Sequence, residues 1–196
     1  MNTTIAIPNG SSVIIEDPSI HLLTSLLIPI ISILAVVIIG ILSWNYSKKQ
    51  HQRTALKDIF ELLQNSGHKS AEKNIRDKYK DGRLNEIKAD LDSDPASVVR
   101  RNYDQIGAMI SSNLIPSKQY YLSFGVVTIV SYFILKDMIE QERKEHKFHM
   151  AYFTNLAIDC FEFWNGQKNE LKPDITDPKG KTITREMLGK RISIPK

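Results

Sequence analysis

The side chains with most chemical potential fall in two short stretches. Asp90, Asp92 and Asp94 alternate along KADLDSD, the spacing at which the first carboxylates of a calcium loop converge on one cation. Such a loop needs glycine at its sharp turn and a bidentate glutamate to close it. Pro95 and Arg101 stand at those places, so a helix end followed by an N-cap at Asp94 accounts better for the pattern. In the second stretch, His146 and His149 lie three apart beside Glu142 and Glu145, and one helix face would present two imidazoles to a metal. Neither HExxH nor the Glu-x-x-His of di-iron bundles occurs there, which favours a solvated, charged helix end. Cys160, the single cysteine, excludes an intramolecular disulfide framework and a Cys-based zinc cage, and fits a reducing compartment. No glycine-rich phosphate loop or serine nucleophile elbow is present. The residues therefore assign no catalytic, cofactor-binding or metal-ligating role, and the chain does not read as an enzyme.

The elements that carry these residues are set by one apolar run. From Leu22 to Ser47 there is no side chain that is charged at neutral pH. At about 1.5 Å per residue, roughly 20 apolar residues cross a hydrocarbon core of about 30 Å, so residues 22–44 read as a transmembrane helix. Mean hydropathy is nevertheless −0.24, so the rest of the chain must be water-soluble. Pro29 removes one backbone donor and is expected to kink this helix without ending it. Trp44 and Tyr46 sit where the chain would leave the hydrocarbon. Lys48, Lys49, Arg53 and Lys57 follow the run, while Glu16 and Asp17 are the charged side chains before it. Cytoplasmic flanks carry the excess of lysine and arginine, so residues 1–21 are expected outside the cell membrane and the C-terminal part in the cytosol. A cleaved signal peptide would need a basic start, a shorter apolar core and a small-residue cleavage site. The exported segment is polar and turn-rich, with Pro8, Asn9, Gly10 and Pro18 expected to break regular structure. It carries two glycosylation triplets, at Asn2 and Asn9. Ser25, Ser32 and Ser43, with Pro29 and Gly40 beside them, make one face of the anchor small, a stripe suited either to self-association or to serines bonding back onto their own helix.

Past the anchor the pattern is all-α. Residues 45–93 read as a juxtamembrane stalk from about Lys48 to Gln64, broken at Asn65–Gly67, then helical stretches over 70–80 and 83–91. Residues 94–166 read as the helical core. One helix opens at Asp94-Pro95 with Val99, Tyr103, Ile106 and Ile110 on its buried face. Another runs from about Ser117 to His146, and its charge-free stretch 119–135 is either a second span or a core helix buried nearly all round. Its length is at the lower limit for a span, and a second crossing would export the basic C-terminus, so the core reading is preferred. The last helix, about Phe148–Asn165, places Met150, Phe153, Leu156, Ala157, Cys160 and Trp164 on one side and Asn155, Asp159 and Glu162 on the other. Cys160 is thus placed as a small hydrophobe. Residues 167–196 lose periodicity and read as a basic, mobile tail.

The segment RRNYDQIGAMISSNLIPSKQYYLSFGVVTIVSYFILKDMIEQERK, followed by FEFWN, resembles the helical core of a family of uncharacterised membrane-anchored proteins known only as a domain of unknown function. The resemblance lies in the order of features from about Arg100 to Trp164. It implies an anchored helical domain and carries no catalytic residues.

The formal net charge is +4, and rises to +6 for the cytosolic part once Glu16 and Asp17 are set aside. Most basic residues alternate with acids, as on a solvated surface. The tail KGKTITREMLGKRISIPK is less mixed, and anionic lipid of the inner leaflet would attract it. The expectation is a single-pass, membrane-tethered, non-catalytic interaction module that binds a protein partner or itself through the helical domain or the anchor. The alternatives are a membrane-associated nucleic-acid-binding protein, with Arg100, Arg101 and the tail on phosphates, or an enzyme with an unrecognised site.

Overall fold

The computed structural model describes residues 3–6, 12–15, 18–87, 94–168, 170 and 172–194. These divide into two units, Met1–Gln50 and His51–Lys196.

The first unit opens with two antiparallel strands, β1 (Thr3–Ala6) and β2 (Ser12–Ile15), with Thr3 opposite Ile15 and Ala6 opposite Ser12. Regular structure was not expected here. Threonine, isoleucine and valine favour extended pairing, which outweighs the turn residues of the segment. Asn2 and the turn residues Pro8, Asn9 and Gly10 lie outside the described residues. Pro18 is the first residue of α1 (Pro18–Gln64), a position that tolerates a missing N–H, so it starts a helix where a breaker was expected. The helix continues through Pro29. The Ser32 hydroxyl donates to the Ile28 carbonyl at 2.8 Å, the back-bonding alternative for that serine. Every residue from 27 to 50 is exposed, although this stretch holds the most apolar sequence in the chain.

The second unit is helical. It comprises the end of α1 and α2 (Ser66–Lys80), α3 (Pro95–Ser111), α4 (Ser117–Glu142) and α5 (Ala151–Asn165). Asn65 ends α1 and at once caps α2, its side-chain oxygen accepting the Gly67 N–H at 2.8 Å, so α2 starts four residues before the expected position. The helix expected over 83–91 is only a 3-10 turn, Leu84–Glu86; 88–93 lie outside the described residues. Asp94 caps α3 as expected, with Ala96 N 2.7 Å from its carboxylate and Pro95 in the first turn. Val99, Tyr103, Ile106 and Ile110 are all buried.

Close helix approach explains one glycine. A Cβ on Gly107 would stand 2.5 Å from the Tyr152 carbonyl oxygen, so α3 and the start of α5 meet backbone to backbone there. Around this contact Tyr103 stacks on Phe153 at 5.0 Å between ring centres, and Tyr132 meets the same ring edge-on at 5.3 Å. α4 is buried over most of 125–135 but exposes Lys118, Gln119, Leu122 and Ser123 in its first turns, so it is not buried all round. Among the described residues two helices, the Leu27–Gln64 part of α1 and Ser117–Glu142, are long and apolar enough to cross a membrane. They differ in cover: none of the apolar window is buried in the first, and half is in the second.

The tail is the main correction. Residues 172–194 were expected to be mobile, yet Ile175, Ile183 and Leu188 are buried in the same core as α4 and α5. The physical reason is a tight hairpin at Asp177-Pro178-Lys179-Gly180. The Asp177 carboxylate accepts the backbone N–H groups of Lys179 and Lys181 at 2.8 and 2.9 Å, and Gly180 takes φ 81°. Ile183 N then donates to Ile175 O at 2.9 Å, which aims both isoleucines inward. Downstream, Asn155 on α5 exchanges two 2.8 Å hydrogen bonds with the Ile192 backbone, and Arg191 pairs with Asp159 and Glu162.

Candidate functional site

A group of titratable side chains lies where α3, α4 and α5 converge. Arg100, three residues beyond Ser97 on α3, is only 3% exposed, and its Nη1 donates to Glu142 Oε1 at 2.6 Å. The other Glu142 oxygen is 2.5 Å from His149 Nε2. Glu142 is the last residue of α4, and Arg143 directly after it closes the connection to α5. The Arg143 guanidinium donates to the carbonyls of His149 and Met150 at 2.8 and 2.9 Å and to the Thr154 hydroxyl. Met150 takes φ 50°, the left-handed turn that starts α5 at Ala151 and not at Phe148. From α3, Asp104 accepts the Phe153 N–H at 2.9 Å and so satisfies one orphan donor in the first turn of α5.

Electrostatics follow from these contacts. Burial pushes the His149 imidazole below its usual value against the pull of Glu142, and Arg100 and Arg143 add to the lowering. Burial raises the Asp104 carboxyl, while the α5 amides draw it back. One wall of an open cleft of about 530 Å³ is formed by Met138, Glu142 and Glu145, facing Leu84 and Ile87. In a second buried polar group Glu72 Oε1 accepts from Ser131 Oγ at 2.7 Å and from the Tyr103 hydroxyl at 3.1 Å. His68, 3% exposed, sits edge-on to Tyr103, and its Nδ1 lies 3.1 Å from Asn102 Nδ2. Its Nε2 is buried without a hydrogen-bond partner among the described residues. Desolvation lowers the pKa of this ring, with Glu72 opposing.

The residues singled out in the sequence separate accordingly. Asp90 and Asp92 lie outside the described residues; Asp94 is the helix cap. His146 and Glu145 are exposed, whereas Glu142 and His149 belong to the Arg100 cluster instead of a solvated helix end. Among the described residues no group of three or more His, Cys, Asp or Glu side chains converges to hold a metal. Cys160 is fully buried and its thiol is pushed well above the ordinary range, as a packed hydrophobe should be. Arg101 is exposed, but Arg100 is spent on Glu142 and is not on the surface to meet phosphate. What sequence reasoning missed are the long-range partners: Glu142 is 42 residues from Arg100, and no local pattern links them. The Tyr79 hydroxyl donates to Asp177 at 2.8 Å across 98 residues. The D-P-K-G run signals the turn at Asp177 but not its pairing with Tyr79.

No protein-family model matches the chain, and no match is found among curated proteins or solved structures. None of these comparisons supports the family resemblance over Arg100–Trp164.

Proposed function

We propose that the chain is a single-pass membrane protein whose helical unit is held in the cytosol as a non-catalytic interaction module for a protein partner or a second copy of itself. The observation that carries this reading is the contrast between the two apolar helices. In α1, Leu34, Val36, Ile39 and Leu42 are 55–69% exposed, and such a surface needs lipid around it. In α4, Ile129, Tyr132, Leu135 and Ile139 are fully buried against neighbouring helices, so its apolarity is used within the domain. The basic residues Lys48, Lys49, Arg53 and Lys57 after the apolar run favour a cytosolic helical unit. Arg100, Glu142, Arg143 and Asp104 tie helices to one another, which supports a framework role for the most chemically capable group in the fold.

The test is cross-linking of the full-length protein in its host, followed by detergent extraction, purification and identification of what travels with it. A reproducible protein partner, or a covalent dimer, is the expected result. Stoichiometric recovery of a metal, a small metabolite or nucleic acid would overturn the module reading.

A further inference from the structure

Within the helical unit, the corner between α3 and α4 turns large apolar side chains outward. Asn113 takes φ 57°, and Leu114 N closes the turn on the Met109 carbonyl at 3.0 Å. The turn fixes the two next side chains in opposite senses: Ile115 is 2% exposed and Leu114 55%. One turn into α4, Leu122 is 51% exposed, and Lys118 lies four residues before it on the same face. The corner is tied to the end of α1 by a hydrogen bond from the Gln52 side chain to the Asn113 carbonyl, 3.2 Å long. Gln52 is eight residues beyond Trp44 in the chain. Eight residues reach at most about 29 Å even when fully extended. The residue that holds this corner is thus no more than about 29 Å of chain from Trp44, a tether that raises the effective concentration of the leucines at whatever surface receives Trp44.

We infer that this corner, formed by Leu114, Lys118 and Leu122, is a lipid-docking surface that seats the helical unit on the headgroup region of the bilayer. The inference rests on the proposed reading that the first apolar helix spans that bilayer. The two leucines enter the boundary between headgroups and acyl chains. Lys118 lays its methylene stem along them and carries its ammonium to lipid phosphate. Lys48, Lys49 and Arg53, a few residues away in the chain, add attraction toward an anionic leaflet.

The test uses the full-length chain, one copy per lipid nanodisc of phosphatidylcholine and phosphatidylglycerol, with a nitroxide on Leu114→Cys, Leu122→Cys, Glu145→Cys or Leu34→Cys. Cys160 is fully buried, and the unsubstituted protein gives the labelling background. Glu145 is an exposed control three residues past the far end of α4, whose 26 residues span about 39 Å. Power saturation then compares collision with oxygen, which concentrates in lipid, and with a water-soluble nickel chelate. Severalfold higher oxygen-to-nickel ratios at Leu114 and Leu122 than at Glu145, with the highest at Leu34, are expected. If Leu114 and Leu122 match Glu145 while Leu34 lies in hydrocarbon, docking is wrong and the span stands. If oxygen and nickel access fall together at the two leucines, protein covers the corner and the lipid assignment is overturned. Should Leu34 itself behave as aqueous, the span fails and takes this inference with it.

Discussion

Replacing Leu188 by alanine measures whether the C-terminal segment belongs to the fold. Leu188 ends the 3-10 turn Glu186–Leu188, is fully buried, and packs with α4 and α5. Arg185 braces the turn by donating to the Gly189 carbonyl at 2.6 Å, with Gly189 at φ 78°. Truncating a buried leucine removes its transfer free energy and leaves a cavity, together costing about 2–5 kcal/mol. A middle value of about 3 kcal/mol in a domain of about 150 residues lowers Tm by roughly 6–12 °C. Scanning calorimetry of the full-length protein in nanodiscs reads this shift. The exposed Lys190→Ala in the same segment is the control, expected within about 0.5 kcal/mol of the parent. An unchanged Tm for Leu188→Ala would refute the packed segment and return residues 167–196 to the mobile tail that their composition suggested.

Other perturbations test the helix junctions. Arg100→Ala leaves the Glu142 carboxylate, which is a quarter exposed at an open cleft, without its guanidinium partner, and denaturant titration should show a loss of about 1–3 kcal/mol; Arg100→Lys should rescue it only in part. Gly107→Ala sets a helix-propensity gain of about 1 kcal/mol against a Cβ only 2.5 Å from backbone, and the clash should win with net destabilisation of about 1–3 kcal/mol. Burial holds the His68 imidazole below the ordinary value of 6.5, so between that lowered value and 6.5 the unfolded chain binds more protons than the folded one. Its contribution is fully present above pH 6.5 and is lost as pH falls toward the folded-state value, where the lowered pKa of His149 adds a slope of its own. The difference in stability between parent and His68→Gln should therefore shrink on acidification; a pH-independent difference would show that His68 does not titrate in this way.

Local signals made much of the fold legible. The Asp94-Pro95 cap and the Val99–Tyr103–Ile106–Ile110 stripe behaved as their spacing dictated, because capping and helical periodicity are properties of neighbouring residues. Helix ends were less legible where a distant group sets them: α5 begins at Ala151 because Arg143 holds the carbonyls of His149 and Met150. Of the candidate site, the sequence singled out Glu142 and His149 but left them on a solvated helix end, since their partner Arg100 comes from α3 and no local pattern links it to them. The tail was misread for a similar reason. Its buried apolar residues, Ile175, Ile183 and Leu188, form no period, and the hairpin at Asp177 that pairs the first two is closed by backbone and side-chain hydrogen bonds that no periodicity shows.

The central claim is that the chain crosses the bilayer once, through α1, and keeps its helical unit on the cytosolic side. Reporters fused before Met1 and after Lys196 in the same host test this most directly. The account predicts an exported signature at the N-terminus and a cytosolic one at the C-terminus. Signals on the same side would mean that Ser117–Glu142 also crosses, and the buried α4 core with its Arg100–Glu142 junction would have to be abandoned.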